Sequence, residues 1–178
     1  FIGPPLHESY EKFYSFSREQ AIQAVSYYRE YYEEKGMFEN EVYPGIKELL
    51  RVLTKQGILC LVATSKPEIY AKKILDYYKL RTYFHYIAGA NMDGTRTDKA
   101  EVIAYALKQI PAEYNNKKIL MVGDRSHDII GAKKNGIDCA GVLFGYGSRE
   151  ELEEAGADFV ADSVEAVRNI ILLDTAMN

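Results

Sequence analysis

No apolar run in this 178-residue chain approaches the roughly 20 residues that a membrane-crossing helix needs. The opening Phe1-Ile2-Gly3-Pro4-Pro5 lacks the charged start and apolar stretch of a secretory signal. Both absences point to a soluble protein of the cytoplasm. Basic residues number 22 against 26 acidic ones, for a net charge of −4. They form no block, so the phosphate-neutralising footprint of a nucleic-acid binder is missing and a small ligand is expected instead. Cysteine is scarce. Cys60 and Cys139 each sit inside an apolar run, the setting of a small buried hydrophobe rather than of a disulfide. His127 has no second histidine or cysteine near it, which argues for a solvated loop residue over a mixed metal site. Internal repeats and low-complexity tracts are absent too.

From about Gly45 onward, helical periodicity alternates with short, nearly continuous apolar runs, the pattern of buried parallel strands covered by helices on both faces. The strands are expected at Ile58–Ala63, Tyr86–Ala88, Ile119–Val122, Cys139–Leu143 and Phe159–Ala161. Helices are expected at Gly45–Lys55, Pro67–Tyr78, Asp98–Gln109, His127–Asn135 and Glu150–Ala155, with a last one starting near Ser163. Residues 1–43 show no strand pattern. A long Tyr/Glu-rich helix from Ser17 to Lys35 is introduced by Ser17-Arg18-Glu19-Gln20, the spacing of a capping box. These residues read as a helical accessory domain, with 44–178 as an α/β core. The 15 tyrosines, several in adjacent pairs such as Tyr27-Tyr28, Tyr31-Tyr32 and Tyr77-Tyr78, are expected as half-buried packing on helix faces.

Ligands of open parallel sheets bind beyond the carboxyl ends of the strands, and three such ends carry unusual polar residues. Thr64-Ser65-Lys66-Pro67-Glu68 follows the first strand, and Ser65 and Glu68 have capping-box spacing there. A hydroxyl and free N–H groups at such a helix start attract phosphate. Asp93-Gly94-Thr95-Arg96-Thr97-Asp98-Lys99 leads into a helix that Thr97 or Asp98 should cap. Lys99 then falls in the first turn, where a cation opposes the helix dipole unless an anion sits beside it. Gly123-Asp124-Arg125-Ser126-His127-Asp128 places two carboxylates four residues apart, a plausible hard-cation site of the kind magnesium completes with water and substrate phosphate oxygens. Hydroxyl, ammonium and metal-binding carboxylates on one sheet edge are the parts phosphoryl transfer requires.

In these motifs the chain resembles the haloacid dehalogenase-like hydrolases, and within them the phosphoglycolate phosphatase and 5′-nucleotidase-like group with a helical cap. The resemblance implies a Rossmann-like, three-layer parallel-sheet core with a partial helical cap, and a magnesium-dependent phosphatase acting on a small phosphorylated metabolite. Thr64 and Ser65 would contact the transferring phosphoryl group and Lys99 would balance its charge. Asp124 would ligate Mg2+, and Asp128 would hold a metal-bound water or orient the site. Gly3, Pro4 and Lys66 would lie near the substrate.

The family's first motif, an apolar strand leading into Asp-x-Asp-Gly-Thr with the nucleophilic Asp, has no counterpart here. Asn91-Met92-Asp93-Gly94-Thr95 mimics it, but Asn91 carries no anionic nucleophile, and Asp93 reads as a turn residue. The nucleophile is therefore expected on a segment before Phe1 that supplies a middle strand of the sheet, and the 178 residues alone are expected to be inactive. A second reading is a non-catalytic phosphate- and metal-binding fragment. A dehalogenase, which needs no metal, is argued against by the Asp124/Asp128 pair.

Overall fold

The computed structural model describes residues 6–175. The chain forms two compact units, Phe1–Glu41 and Val42–Asn178. In the first, α1 (Leu6–Tyr14) packs on α2 (Arg18–Glu34), and a 3-10 turn follows over Gly36–Phe38. The capping box forms as read: the Ser17 hydroxyl accepts from the Gln20 N–H at 3.3 Å, and the Gln20 side chain accepts from the Ser17 N–H at 2.9 Å. Ala21 and Met37 are fully buried in this unit. The tyrosines depart from expectation. Tyr27 and Tyr31 of α2 and Tyr77 of the second unit remain 51–62% exposed, because adjacent residues on a helix point 100° apart and only one of each pair can face inward.

The second unit runs α3 (Ile46–Lys55), β1 (Leu61–Pro67), α4 (Glu68–Tyr77), β2 (Tyr86–Ala90), α5 (Lys99–Leu107), β3 (Leu120–Gly123), α6 (Ser126–Lys134), β4 (Asp138–Val142), α7 (Arg149–Glu154), β5 (Phe159–Ala161) and α8 (Val164–Thr175). Every strand pairing is parallel, as strands joined through helices require. The fold is thus α/β, as the apolar runs predict. Residues on opposite faces of β4 show the layering: Val142 joins a core with Leu49 and Leu53 of α3 and Val167 of α8, while Cys139 packs with Ile129 and Ala132 of α6 and Leu152 of α7. Cys139 is buried and reduced, and Cys60 is a half-buried thiol. No described helix is long and apolar enough to cross a membrane.

The strands fall into two groups, β1-β2 and β3-β4-β5. Among the described residues β1 pairs only with β2, and β3 only with β4, so each keeps one open edge. Val122, the last residue of an apolar run, is 37% exposed in β3.

One local reading needs correction. Ser65 does not cap α4; that helix starts after Pro67, which contributes no side-chain cap. The cause lies in the sheet register, where Thr64 opposes Gly89 but Pro67 opposes Ala90, leaving Ser65 and Lys66 as a bulge inside the extended end of β1. Closing the bulge brings backbone onto Gly89, where a Cβ would lie 2.6 Å from Glu68 Cα and 2.7 Å from the Lys66 carbonyl oxygen. Gly89→Ala should therefore cost about 1–3 kcal/mol of unfolding free energy in urea. A cost below about 0.5 kcal/mol would mean that the bulge moves aside freely.

Candidate active site

The loop between β3 and α6 is organised by its own second carboxylate. Asp128, at the third position of α6, turns back so that its Oδ2 accepts from the Asp124 N–H (3.1 Å) and the Arg125 N–H (3.2 Å). Its Oδ1 lies 2.8 Å from the Lys99 ammonium. Lys99 Nζ also donates to the Ala63 carbonyl at 3.2 Å. One cation therefore links β1, the start of α5 and the first turn of α6. Both side chains are largely buried, at 16% and 8% exposure, so each depends on the other to offset the cost of leaving water. Lys99 does sit in the first turn of its helix, and Asp128 is the anion beside it.

Asp98 rather than Thr97 caps α5, accepting from the Ala100 and Glu101 N–H groups. Thr64 is partly buried at the end of β1, and its hydroxyl oxygen accepts from the Lys66 N–H at 3.2 Å. Ser65 and Lys66 are exposed beside it. The structure thus gathers Ala63 and Thr64, Lys99, and Asp124 with Asp128 at the strand ends. Gly3 and Pro4 lie outside the described residues. His127 is exposed in the first turn of α6. Asp93 is a turn residue: its Oδ1 accepts from the Thr95 hydroxyl (2.7 Å) and N–H (2.9 Å), and these bonds hold its carboxyl below the ordinary range. The turn is pinned by Arg96, which adopts φ +52°, donates to the Gly89 carbonyl at 2.8 Å and lies over the Tyr105 ring at 3.8 Å.

A second loop closes on Asp124. The Tyr146 N–H donates to Asp124 Oδ2 at 2.9 Å. The approach demands glycine on both sides: a Cβ on Gly145 would lie 2.3 Å from Asp124 Cβ, and one on Gly147 would lie 2.2 Å from the Asp124 carbonyl oxygen. Glu151 continues this contact. Its Oε1 accepts from the Ser126 N–H (2.8 Å), the Ser126 hydroxyl (2.9 Å) and Arg125 Nε (2.9 Å). Those bonds, the Ser126 backbone donor first and the Arg125 guanidinium next, pull its carboxyl down to about 2. Sequence reasoning missed Glu151. Its one visible signal, the Ser148-x-x-Glu151 spacing, suggests a local cap; Ser148 does accept from the Glu151 N–H, but the carboxylate reaches 25 residues back instead.

No cluster of three or more histidine, cysteine, aspartate or glutamate side chains suited to a metal ion occurs among the described residues. Magnesium does not need one, since it binds through one or two carboxylates and keeps several waters. Asp124, a carboxylate held rigidly at a strand end between two glycines, fits as a single ligand. Asp128 has protein partners on both oxygens and cannot turn toward a cation without giving up Lys99 or the loop N–H groups.

Residues 1–142 match the family described as haloacid dehalogenase-like hydrolase. A 5′-nucleotidase of Pseudomonas aeruginosa is 39% identical over 173 residues, covering 96% of this chain and 76% of that protein. The tyrosine-protein kinase PtkA of Mycobacterium tuberculosis is 36% identical over 173 residues, covering 96% of this chain but only 58% of its own length. The crystal structure of a predicted phosphatase from Clostridium acetobutylicum superposes with a TM-score of 0.84 at 45% identity, covering 97% of this chain and 79% of that one.

The depressed Glu151 carboxyl has a measurable consequence. A folded-state value of about 2 against an ordinary 4.5 means that its stabilisation is fully present above about pH 4.5 and is lost as pH falls toward 2. The gap in unfolding free energy between the wild type and Glu151→Gln should therefore narrow across that window. A gap that stays constant from pH 5 to 2 would contradict the assignment.

Proposed function

The chain belongs to the haloacid dehalogenase-like hydrolase family, and on that premise we propose that the intact protein is a magnesium-dependent phosphatase of the cytoplasm acting on a small phosphomonoester such as a 5′-nucleotide or phosphoglycolate. The observation that carries this reading is the Lys99 ammonium, held between the Ala63 carbonyl and Asp128 where two strands end. A fixed, poorly solvated cation at that place is suited to balance the charge of a transferring phosphoryl group. Thr64, with the exposed Ser65 and Lys66 beside it, would contact the same group. Asp124 would ligate magnesium, and Asp128 would orient Lys99 and the loop. The metal, when bound, would supply Lewis-acid stabilisation of phosphoryl oxygens.

The open edges of β1 and β3 support a further part of the proposal: a strand carrying the nucleophilic aspartate pairs between them in the intact protein, and reaction runs through an aspartyl-phosphate. Residues 1–43 would be the cap that selects the leaving group, and residues 1–178 alone would be inactive. A non-catalytic fragment is not favoured, because the relatives at 36–39% identity carry the names of phosphoryl-handling enzymes.

The intact protein, assayed with p-nitrophenyl phosphate and a panel of nucleoside monophosphates and phosphoglycolate, should turn over only with Mg2+. Lys99→Ala should lower its turnover by at least ~100-fold, the scale for losing one preorganised charge stabiliser. Turnover without magnesium, or a Lys99→Ala effect below tenfold, would contradict these roles.

A further inference from the structure

The three successive backbone N–H groups of Asp124, Arg125 and Ser126, at the mouth of α6, are all taken by carboxylates of the protein itself. Asp128 takes the first two and Glu151 the third. A helix start normally invites an external anion, but here that position is filled from within. Glu151 reaches it from α7, the helix that follows the 145–147 loop, and the same loop places Tyr146 N–H on Asp124 Oδ2. The segment 145–151 thus grips residues 124–126 at both ends, once on the Asp124 carboxylate and once on the backbone and side chains just after it.

Resting on the reading of Asp124 as a magnesium ligand, we infer that Glu151 is a positioning residue for the metal site: its carboxylate, three hydrogen bonds deep in Arg125 and Ser126, fixes the direction in which Asp124 presents its free coordination geometry. Groups that orient a ligand in this way change metal affinity by about 10–100-fold when removed, although they never touch the metal. The neighbouring ion pair of α7, Arg149 with Glu153, offers an internal contrast. Both its members are about half exposed (50% and 54%) and they pair with each other along the helix at 3.1 Å, whereas Glu151 and Arg125 are 27% and 32% exposed. A residue that only stabilised the fold would lower the fraction of active protein and leave the metal dependence unchanged.

The test uses the intact protein and Mg2+ itself, titrated calorimetrically without substrate and again as the concentration giving half-maximal turnover. Glu151→Ala should weaken Mg2+ binding by at least ~10-fold in both measurements, with turnover at saturating Mg2+ within about threefold of wild type. Glu151→Gln, which keeps an acceptor for the Ser126 N–H but loses the charge facing Arg125, should fall between wild type and alanine. Arg149→Ala should match wild type. Wild-type Mg2+ affinity in Glu151→Ala overturns the inference, as does lost turnover at saturating metal with no shift in affinity. If the alanine variant does not fold, unchanged affinity in Glu151→Gln overturns it equally. Failure of the wild type itself to bind Mg2+ would be distinguishable, since it removes the metal reading of Asp124 and the inference with it.

Discussion

The buried ion pair between Lys99 and Asp128 is the constraint on which the rest of the site depends. The strands of the core are divided between β1-β2 and β3-β4-β5, with no ladder joining the groups among the described residues. Lys99 crosses that division. Its stem rises from the first turn of α5, its ammonium takes the Ala63 carbonyl on one side, and it meets the Asp128 carboxylate on the other. Asn135, just past the end of α6, adds a second tie, donating to the Ala100 carbonyl at 3.0 Å. Burial makes the pair mutually dependent: removing either partner would leave an uncompensated charge, a far larger penalty than losing an exposed salt bridge.

From that pair the site assembles outward in one direction. Asp128, fixed by Lys99, holds the Asp124 and Arg125 N–H groups and so sets the path of the loop. The loop presents Asp124, which the Gly145 to Gly147 segment encloses at distances no side chain would permit. Glu151 then closes the arrangement on Arg125 and Ser126. Each carboxylate in the chain of contacts has a different task, and the difference comes from its partners rather than from its residue type. Asp124 accepts from the Tyr146 N–H, Asp128 faces inward as the counter-ion of Lys99, and Glu151 holds the Arg125 and Ser126 donors from outside.

Much of this was legible in the sequence. Nearly continuous apolar runs identified all five strands to within a few residues, and the strand-end clusters pointed to Thr64, Lys99, Asp124 and Asp128. The Ser17 capping box and the Asp93 turn were equally readable, because each is closed by bonds within four residues. What escaped is what depends on distant chain. Ser65 has the spacing of a local cap, but the register change opposite Gly89 draws it into the end of β1. Glu151 carries a local capping signal, yet its carboxylate is engaged by donors 25 and 26 residues away. The paired tyrosines read as half-buried, although helical geometry turns one of two neighbours to the surface. Spacing records short-range bonds faithfully and long-range ones only through the family pattern.

The most direct measurement is a double-mutant cycle on unfolding free energy in the intact protein, built from Lys99→Met, Asp128→Asn and their combination. If the pair ties the two strand groups together, the effects should couple by about 1 kcal/mol or more, with the double variant much less destabilised than the sum of the singles. Additivity within about 0.3 kcal/mol would mean that Lys99 and Asp128 act independently and that the site is held by something else.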